Sequence, residues 1–269
     1  MKIIQILSSI FPSAFVKIAF NKLAYPQIRK LREREMETMK TSTQRDFAFK
    51  GFKIKLYEWK NSGEPILLIH GWEGQAGNFA DLIPVLIKNG FSVITFDGPS
   101  HGYSSRAKTS FFEFSELVAV LIREFSVRKL ISHSFGGVAT TYALHQNPDI
   151  EIEKYALLTT PDRFKERIED ISLQYSINEK VMKKLIEKLE SEYEINASES
   201  NVSNYVKTIK VAKALIIHDK NDRVIPIERS KNVHKNWPQS DFEEITGTGH
   251  FRILREEKVL QRLVEFMKQ

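Results

Sequence analysis

Five short runs, PILLIHG, FSVITFDG, KLISHS, KYALLTT and AKALIIHD, follow one another between residues 65 and 219, each apolar on consecutive rather than alternate positions. A strand buried on one face alternates; a strand apolar throughout belongs inside a parallel sheet covered on both sides. Helical patterns separate the runs: NFADLIPVLIKNG with Gly90 as its stop, FFEFSELVAVLIREF, and GGVATTYALHQNP ended by Pro148. Parallel strands need such crossovers, so the β-α-β-α order predicts an α/β fold with right-handed connections. Upstream, DFAFKGFKIKLYEW at residues 46–59 reads as two alternating strands around Gly51. At 269 residues, 42% of them hydrophobic, the chain suits one large domain with an insertion rather than two equal ones.

The rhythm fails between KYALLTT and AKALIIHD, where residues 161–210 are helical and highly charged. YSINEKVMKKLIEKLE opens on a capping box, Ser176 with Glu179, and repeats apolar residues at Val181, Leu185 and Leu189. The expectation is a helical lid over 161–210, inserted after the sixth strand of a core formed by 46–160 and 211–269; a long solvated crossover is the alternative.

The net charge of +6 lies entirely in the first 45 residues, where nine Lys/Arg face three Glu. The body is therefore electrically balanced, and a nucleic-acid partner is not expected. This arm is apolar at its start but broken by Pro12 and Lys17, too interrupted to span a membrane. It reads first as an amphipathic helix packing on the body or shaping a subunit contact, with a membrane-surface helix and a secretory signal as the alternatives. The chain has no cysteine, which excludes a disulfide framework, a thiol nucleophile and thiolate metal sites, and fits a cytoplasmic location.

KLISHSFGGVATTYAL, residues 129–144, passes from strand to helix over small residues with Ser134 at the corner. Such a turn needs small neighbours two positions either side, supplied by Ser132 and Gly136; it exposes the serine hydroxyl at the carboxyl edge of the sheet and aims the Phe135 N–H at a developing oxyanion. Here the sequence resembles the α/β-hydrolase family, whose nucleophile elbow usually reads G-x-S-x-G. Four further stretches stand in that family's order. HGWEG at 70–74 resembles the loop supplying the second oxyanion N–H, here from Trp72, whose indole is also a candidate substrate contact. FDGPSHGYSS at 96–105 resembles its D-x-P-G-H-G-x-S loop, which implies a structural rather than catalytic role for His101. HDKNDRVIP at 218–226 resembles the segment bearing the acid, matching Asp222, with Asp219 the runner-up, Asp162 a distant third and His218 structural. ITGTGHFRIL at 245–254 places His250 where the family has its base.

The resemblance covers residues 46–269 and implies a mostly parallel sheet of about eight strands flanked by helices. It implies acyl transfer by Ser134, Asp222 and His250 through a covalent intermediate, without metal or organic cofactor. Serine rather than aspartate at the elbow argues against dehalogenases and epoxide hydrolases. A small acyl ester, thioester or lipid is the expected substrate; amide or carbon–carbon hydrolysis, and a non-catalytic binding protein on the same scaffold, remain the alternatives.

Overall fold

Lys50 and Gly51 both take positive φ, 44° and 81°. A two-residue turn with both central φ positive matches the right-handed twist of paired strands, and it joins β1 (Thr43–Phe49) to β2 (Phe52–Trp59) as an antiparallel hairpin. The structure is a computed structural model describing residues 15–17, 24–163, 165–166, 169, 178–193 and 195–269.

Six further strands complete one sheet: β3 (Pro65–Ile69), β4 (Ser92–Phe96), β5 (Lys129–His133), β6 (Glu151–Leu158), β7 (Lys210–Asp219) and β8 (Ser240–Ile245). Their order is β1-β2-β4-β3-β5-β6-β7-β8, and only the pairings of β2 are antiparallel. Consecutive strand residues point to opposite faces. Leu67, Ile69, Leu130, Tyr155, Leu157 and Ile216 thus enter one core with Phe114, Leu117 and Ala139. Ile66, Leu68, Ile131, Ala156, Leu158 and Ile217 enter the other with Leu82, Ile83 and Leu263. Burial on both faces is why these runs are apolar at every position.

Helix α1 (Glu33–Lys40) precedes the sheet, and α2 (Leu82–Lys88) joins β3 to β4 with Pro84 in its first turn, where no backbone donor is needed. Helix α3 (Phe111–Glu124) starts at Ser110, whose hydroxyl accepts the Glu113 N–H, and α4 (Phe135–Gln146) follows β5 directly. Between β6 and β7 stand α5 (Glu179–Tyr193) and the short α6 (Val202–Tyr205). Helices α7 (Ile227–Lys235), α8 (Gly249–Arg252) and α9 (Glu257–Lys268) complete the chain.

The excursion expected over 161–210 is shorter at its downstream end. Val202, Val206 and Ile209 are apolar at helical spacing and pack in the first core, so this stretch belongs to the body. Val181, Leu185 and Leu189 of α5 instead form a small separate core with Val16 and Phe15 of the N-terminal arm. Ser176 of the expected capping box, and residues 1–14 and 18–23 of the arm, lie outside the described residues. Among the described residues no helix is long and apolar enough to cross a membrane.

Candidate active site

The register levels the carboxyl ends of the central strands: Ile69 pairs with Ser132, His133 with Leu158, Leu158 with Ile217 and Asp219 with Ile245. The loops after β3, β5, β7 and β8 therefore emerge at one edge. The chain leaves β3 for β4 on one side while β5 lies on the other, the kind of switch point where open α/β sheets hold ligands.

Ser134 occupies this edge at φ 56°, ψ −124°, between β5 and the first residue of α4. A non-glycine residue there is strained, by about 1–3 kcal/mol, and persists because its surroundings fix it. The Ser134 N–H donates to the Leu158 carbonyl (2.8 Å), and the Ser134 carbonyl accepts the Gly137 N–H (2.8 Å). A Cβ on Gly136 would lie 2.5 Å from the Ile69 oxygen and 2.7 Å from that of His70, so the absence of a side chain lets the helix start against the end of β3. Ser132, standing where a glycine is usual, has a partner: its hydroxyl is 2.9 Å from the Tyr155 hydroxyl, which also donates to the Gly137 carbonyl.

The structure brings Ser134, His250 and Asp222 into one line. His250 Nε2 is 3.0 Å from the Ser134 hydroxyl, and His250 Nδ1 is 2.8 Å from Asp222 Oδ2. The carboxylate accepts at Nδ1, so the proton sits there and Nε2 is left to receive the serine proton. The other Asp222 oxygen accepts the Val224 and Ile225 N–H groups (2.7 and 3.0 Å). Burial pushes the Asp222 carboxyl up, but hydrogen bonds from His218, His250 and Ile225 outweigh it and hold the group well below the usual carboxylate range. Asp222 is thus an anion at neutral pH.

Gly71 lies against the elbow; a Cβ there would meet the His133 oxygen at 3.3 Å and Ser134 Cβ at 3.4 Å. This brings the Trp72 segment beside Phe135, their rings 4.8 Å apart. Among the described residues neither the Trp72 nor the Phe135 amide has an acceptor within the protein. Two free amides flanking a serine can receive an oxyanion. Trp72, Phe135, Phe111 and Tyr142 form a half-buried wall of edge-to-face and tilted rings. Phe251 stands edge-on to His250 (4.9 Å) and is 62% exposed.

Asp219, the runner-up acid, does not reach the imidazole. One oxygen accepts the Thr248 and Gly249 N–H groups and the Thr248 hydroxyl, the other accepts Asn221 N–H, so it anchors the turn before His250. Burial raises the Asp219 carboxyl, yet these donors leave it below its ordinary value. Asp162 instead binds the Ser203 N–H and Asn232. His101 Nδ1 donates to the Pro99 carbonyl with its ring edge-on to Trp72; His218 Nδ1 faces Ser230, and its Nε2 faces both the Ile225 carbonyl (3.0 Å) and Asp222 Oδ2 (3.5 Å). His70 Nε2 accepts the Gly98 N–H while Nδ1 donates to the Gly71 carbonyl; burial drives its pKa down to about 4.

Two groups escaped sequence reasoning. His133, buried within the elbow pentapeptide, donates from Nε2 to the His250 carbonyl (2.8 Å) and so ties the turn carrying His250 to β5. Burial first, then neighbouring His250, push its pKa down to about 3. The signal was a histidine at the end of a buried strand, directly before the elbow serine. Asp97 accepts the Ala76 and Tyr103 N–H groups (2.8 Å each) and the Tyr57 hydroxyl (3.0 Å), joining the loops after β3 and β4. Among the described residues no three His, Asp or Glu side chains are grouped to hold a metal ion.

The family model described as alpha/beta hydrolase fold matches residues 64–188. The protein called uncharacterized hydrolase YugF of Bacillus subtilis is 24% identical over 270 residues, covering 83% of this chain and 97% of the relative. The human serine hydrolase-like protein is 33% identical over 107 residues, 37% of this chain; the match spans 51% of that relative's length. Among solved structures, the esterase EaEST of Exiguobacterium antarcticum superposes with a TM-score of 0.67 at 21% identity, covering 85% of this chain and all (100%) of the other.

Proposed function

We propose that this chain, which has the α/β-hydrolase fold, is a serine hydrolase that cleaves carboxylic esters through an acyl-enzyme. The observation that carries this reading is the hydrogen-bonded line from Ser134 through His250 to a buried, ionised Asp222. His250 Nε2 takes the hydroxyl proton as Ser134 Oγ attacks the carbonyl carbon. Asp222 holds the ring and stabilises the imidazolium that forms. The carbonyl oxygen becomes an oxyanion between the Trp72 and Phe135 N–H groups, and each such donor is worth about 100-fold or more in rate. His250 then returns the proton to the departing alcohol, and water repeats the cycle at the acyl carbon.

The aromatic wall of Trp72, Phe135, Phe111 and Tyr142 carries no charged side chain, which favours an uncharged, apolar acyl group. Phe251 beside His250 lies where the leaving group departs. Helix α5 is the lid of this reading. The esterase among its structural relatives adds support from fold alone.

Hydrolysis of p-nitrophenyl esters from acetyl to dodecanoyl, by wild type and Ser134→Ala, tests the reading. Turnover abolished by the substitution is the expected result, with the chain-length optimum reporting the depth of the acyl site. Absence of any Ser134-dependent turnover would overturn ester hydrolysis and shift weight to amide or carbon–carbon substrates or to a binding protein.

A further inference from the structure

The segment at residues 24–31 runs across the loops that surround the site. The Ala24 carbonyl accepts the Thr109 N–H (2.9 Å), and the Arg29 guanidinium donates to the Ser104 carbonyl (2.7 Å). Gln75 Nε2 donates to the Lys30 carbonyl (3.2 Å), and buried Leu31 fills the space over Gly77, where a Cβ would meet its side chain at 2.4 Å. At the centre of this crossing, the Gln27 and Ile28 N–H groups both donate to one carboxylate oxygen, Glu73 Oε2, at 2.7 and 2.8 Å.

Glu73 follows Trp72 in the turn closed by the Gly74 N–H and the Gly71 carbonyl (2.9 Å), and it holds φ 59°. That conformation favours glycine, because an L side chain crowds its own backbone there. A glutamate is nonetheless in place, and its carboxylate is the point where the segment takes hold of the turn. The peptide carrying the Trp72 N–H has Gly71 against the elbow, and its carbonyl accepts both the His70 Nδ1–H (2.7 Å) and the Gly74 N–H that closes this turn (2.9 Å).

We infer that Glu73 is a positioning residue for oxyanion stabilisation: bound by the Gln27 and Ile28 amides, it fixes the turn that aims the Trp72 N–H. This rests on the reading of Trp72 as an oxyanion donor. Glu73 touches no reacting atom; it acts through the neighbouring peptide. A donor that is loosely aimed binds substrate as before and stabilises the transition state less, so the loss falls on kcat rather than KM.

The test uses the full chain, p-nitrophenyl butyrate turnover and the rate of labelling by a fluorophosphonate, in wild type, Glu73→Ala, Glu73→Gln and Ile28→Pro, with Arg34→Ala on the exposed face of α1 as control. Glu73→Ala is expected to lower kcat about 10- to 100-fold with KM within about threefold. Glu73→Gln keeps an acceptor oxygen and should restore most of the rate. Ile28→Pro removes one donating amide while keeping an apolar side chain at a position that is 56% exposed. It should lower kcat in the same direction, and add little when combined with Glu73→Ala, because both cut one linkage. Arg34→Ala should match wild type. Labelled wild type with Glu73→Ala and Ile28→Pro at full kcat would overturn this inference alone. Wild type that neither labels nor turns over through Ser134 would overturn the functional reading, and this inference with it. Should Glu73→Ala fail to fold, the Glu73→Gln and Ile28→Pro pair decides.

Discussion

Gly136→Ala adds one methyl group at the most crowded point of the elbow. Its Cβ would lie 2.5 Å from the Ile69 oxygen and 2.7 Å from the His70 oxygen, about 0.9 Å and 0.7 Å short of ordinary contact at 3.4 Å. Both obstacles are backbone, so neither can rotate away; the start of α4 must lift from the end of β3. Helix propensity alone would make alanine better than glycine by up to about 1 kcal/mol. Overpacking costs about 1–3 kcal/mol and should win, lowering Tm by several degrees, at about 2–4 °C per kcal/mol for a domain of this size. Activity should suffer more than stability, because the lift separates the Phe135 amide and Ser134 from the loop after His70. A displacement of about 1 Å in a reacting geometry costs about 100-fold. Steady-state kinetics on a short-chain ester, beside a thermal melt, reads both effects. Gly137→Ala is the comparison: its Cβ would meet the side chain of Thr160, which can turn, and the loss should be smaller. Gly136→Ala with wild-type kcat and Tm would refute the reasoning.

Asp222→Asn leaves an oxygen for the Val224 and Ile225 amides but no longer fixes the Nδ1–H tautomer of His250, so kcat should fall about 10⁴-fold while the fold is kept; a fall under tenfold would remove Asp222 from the line. Acid should destabilise the protein through its buried histidines. His133 and His70 have pKa values lowered to about 3 and 4, so the unfolded chain binds their protons first. Stability is full above about pH 6.5 and declines as pH falls below it, by about 1.4 kcal/mol per unit for each histidine, down to about pH 4 for His70 and about pH 3 for His133. Asp97, whose carboxyl burial pushes up, works in the opposite direction and trims the slope. Urea midpoints between pH 7 and 4.5 measure this, and a midpoint independent of pH would contradict the neutral, buried assignment of both rings.

The strands were legible because burial on both faces forces apolar residues onto consecutive positions, and runs as short as PILLI and ALII, alternating with helical patterns, suit a covered parallel sheet. Ser134, Asp222 and His250 were legible because each stands in a turn whose small or proline residues are dictated by backbone geometry. What stayed hidden depends on contacts between distant segments. Glu73 reads as an ordinary surface glutamate until Gln27 and Ile28, 46 and 45 residues away, are seen to donate to it. His133 and Asp219 share the task of holding the turn around His250, yet only the folded chain shows which carbonyl or amide each one meets. Residues 202–209 looked like part of a charged excursion because their flanks are charged; their apolar positions, read by themselves, return to the core.

Ser134 and His250 are separated by 116 residues and follow β5 and β8, so every strand from β5 to β8 must be paired for the two to meet. Parallel pairing requires a closed crossover each time, so local contacts contribute little toward it and the slow, long-range steps come last. On the proposed mechanism, a chain that has formed only the central strands holds Ser134 without its base. On that mechanism, nucleophilic power is thus acquired only once β5 to β8 have all paired.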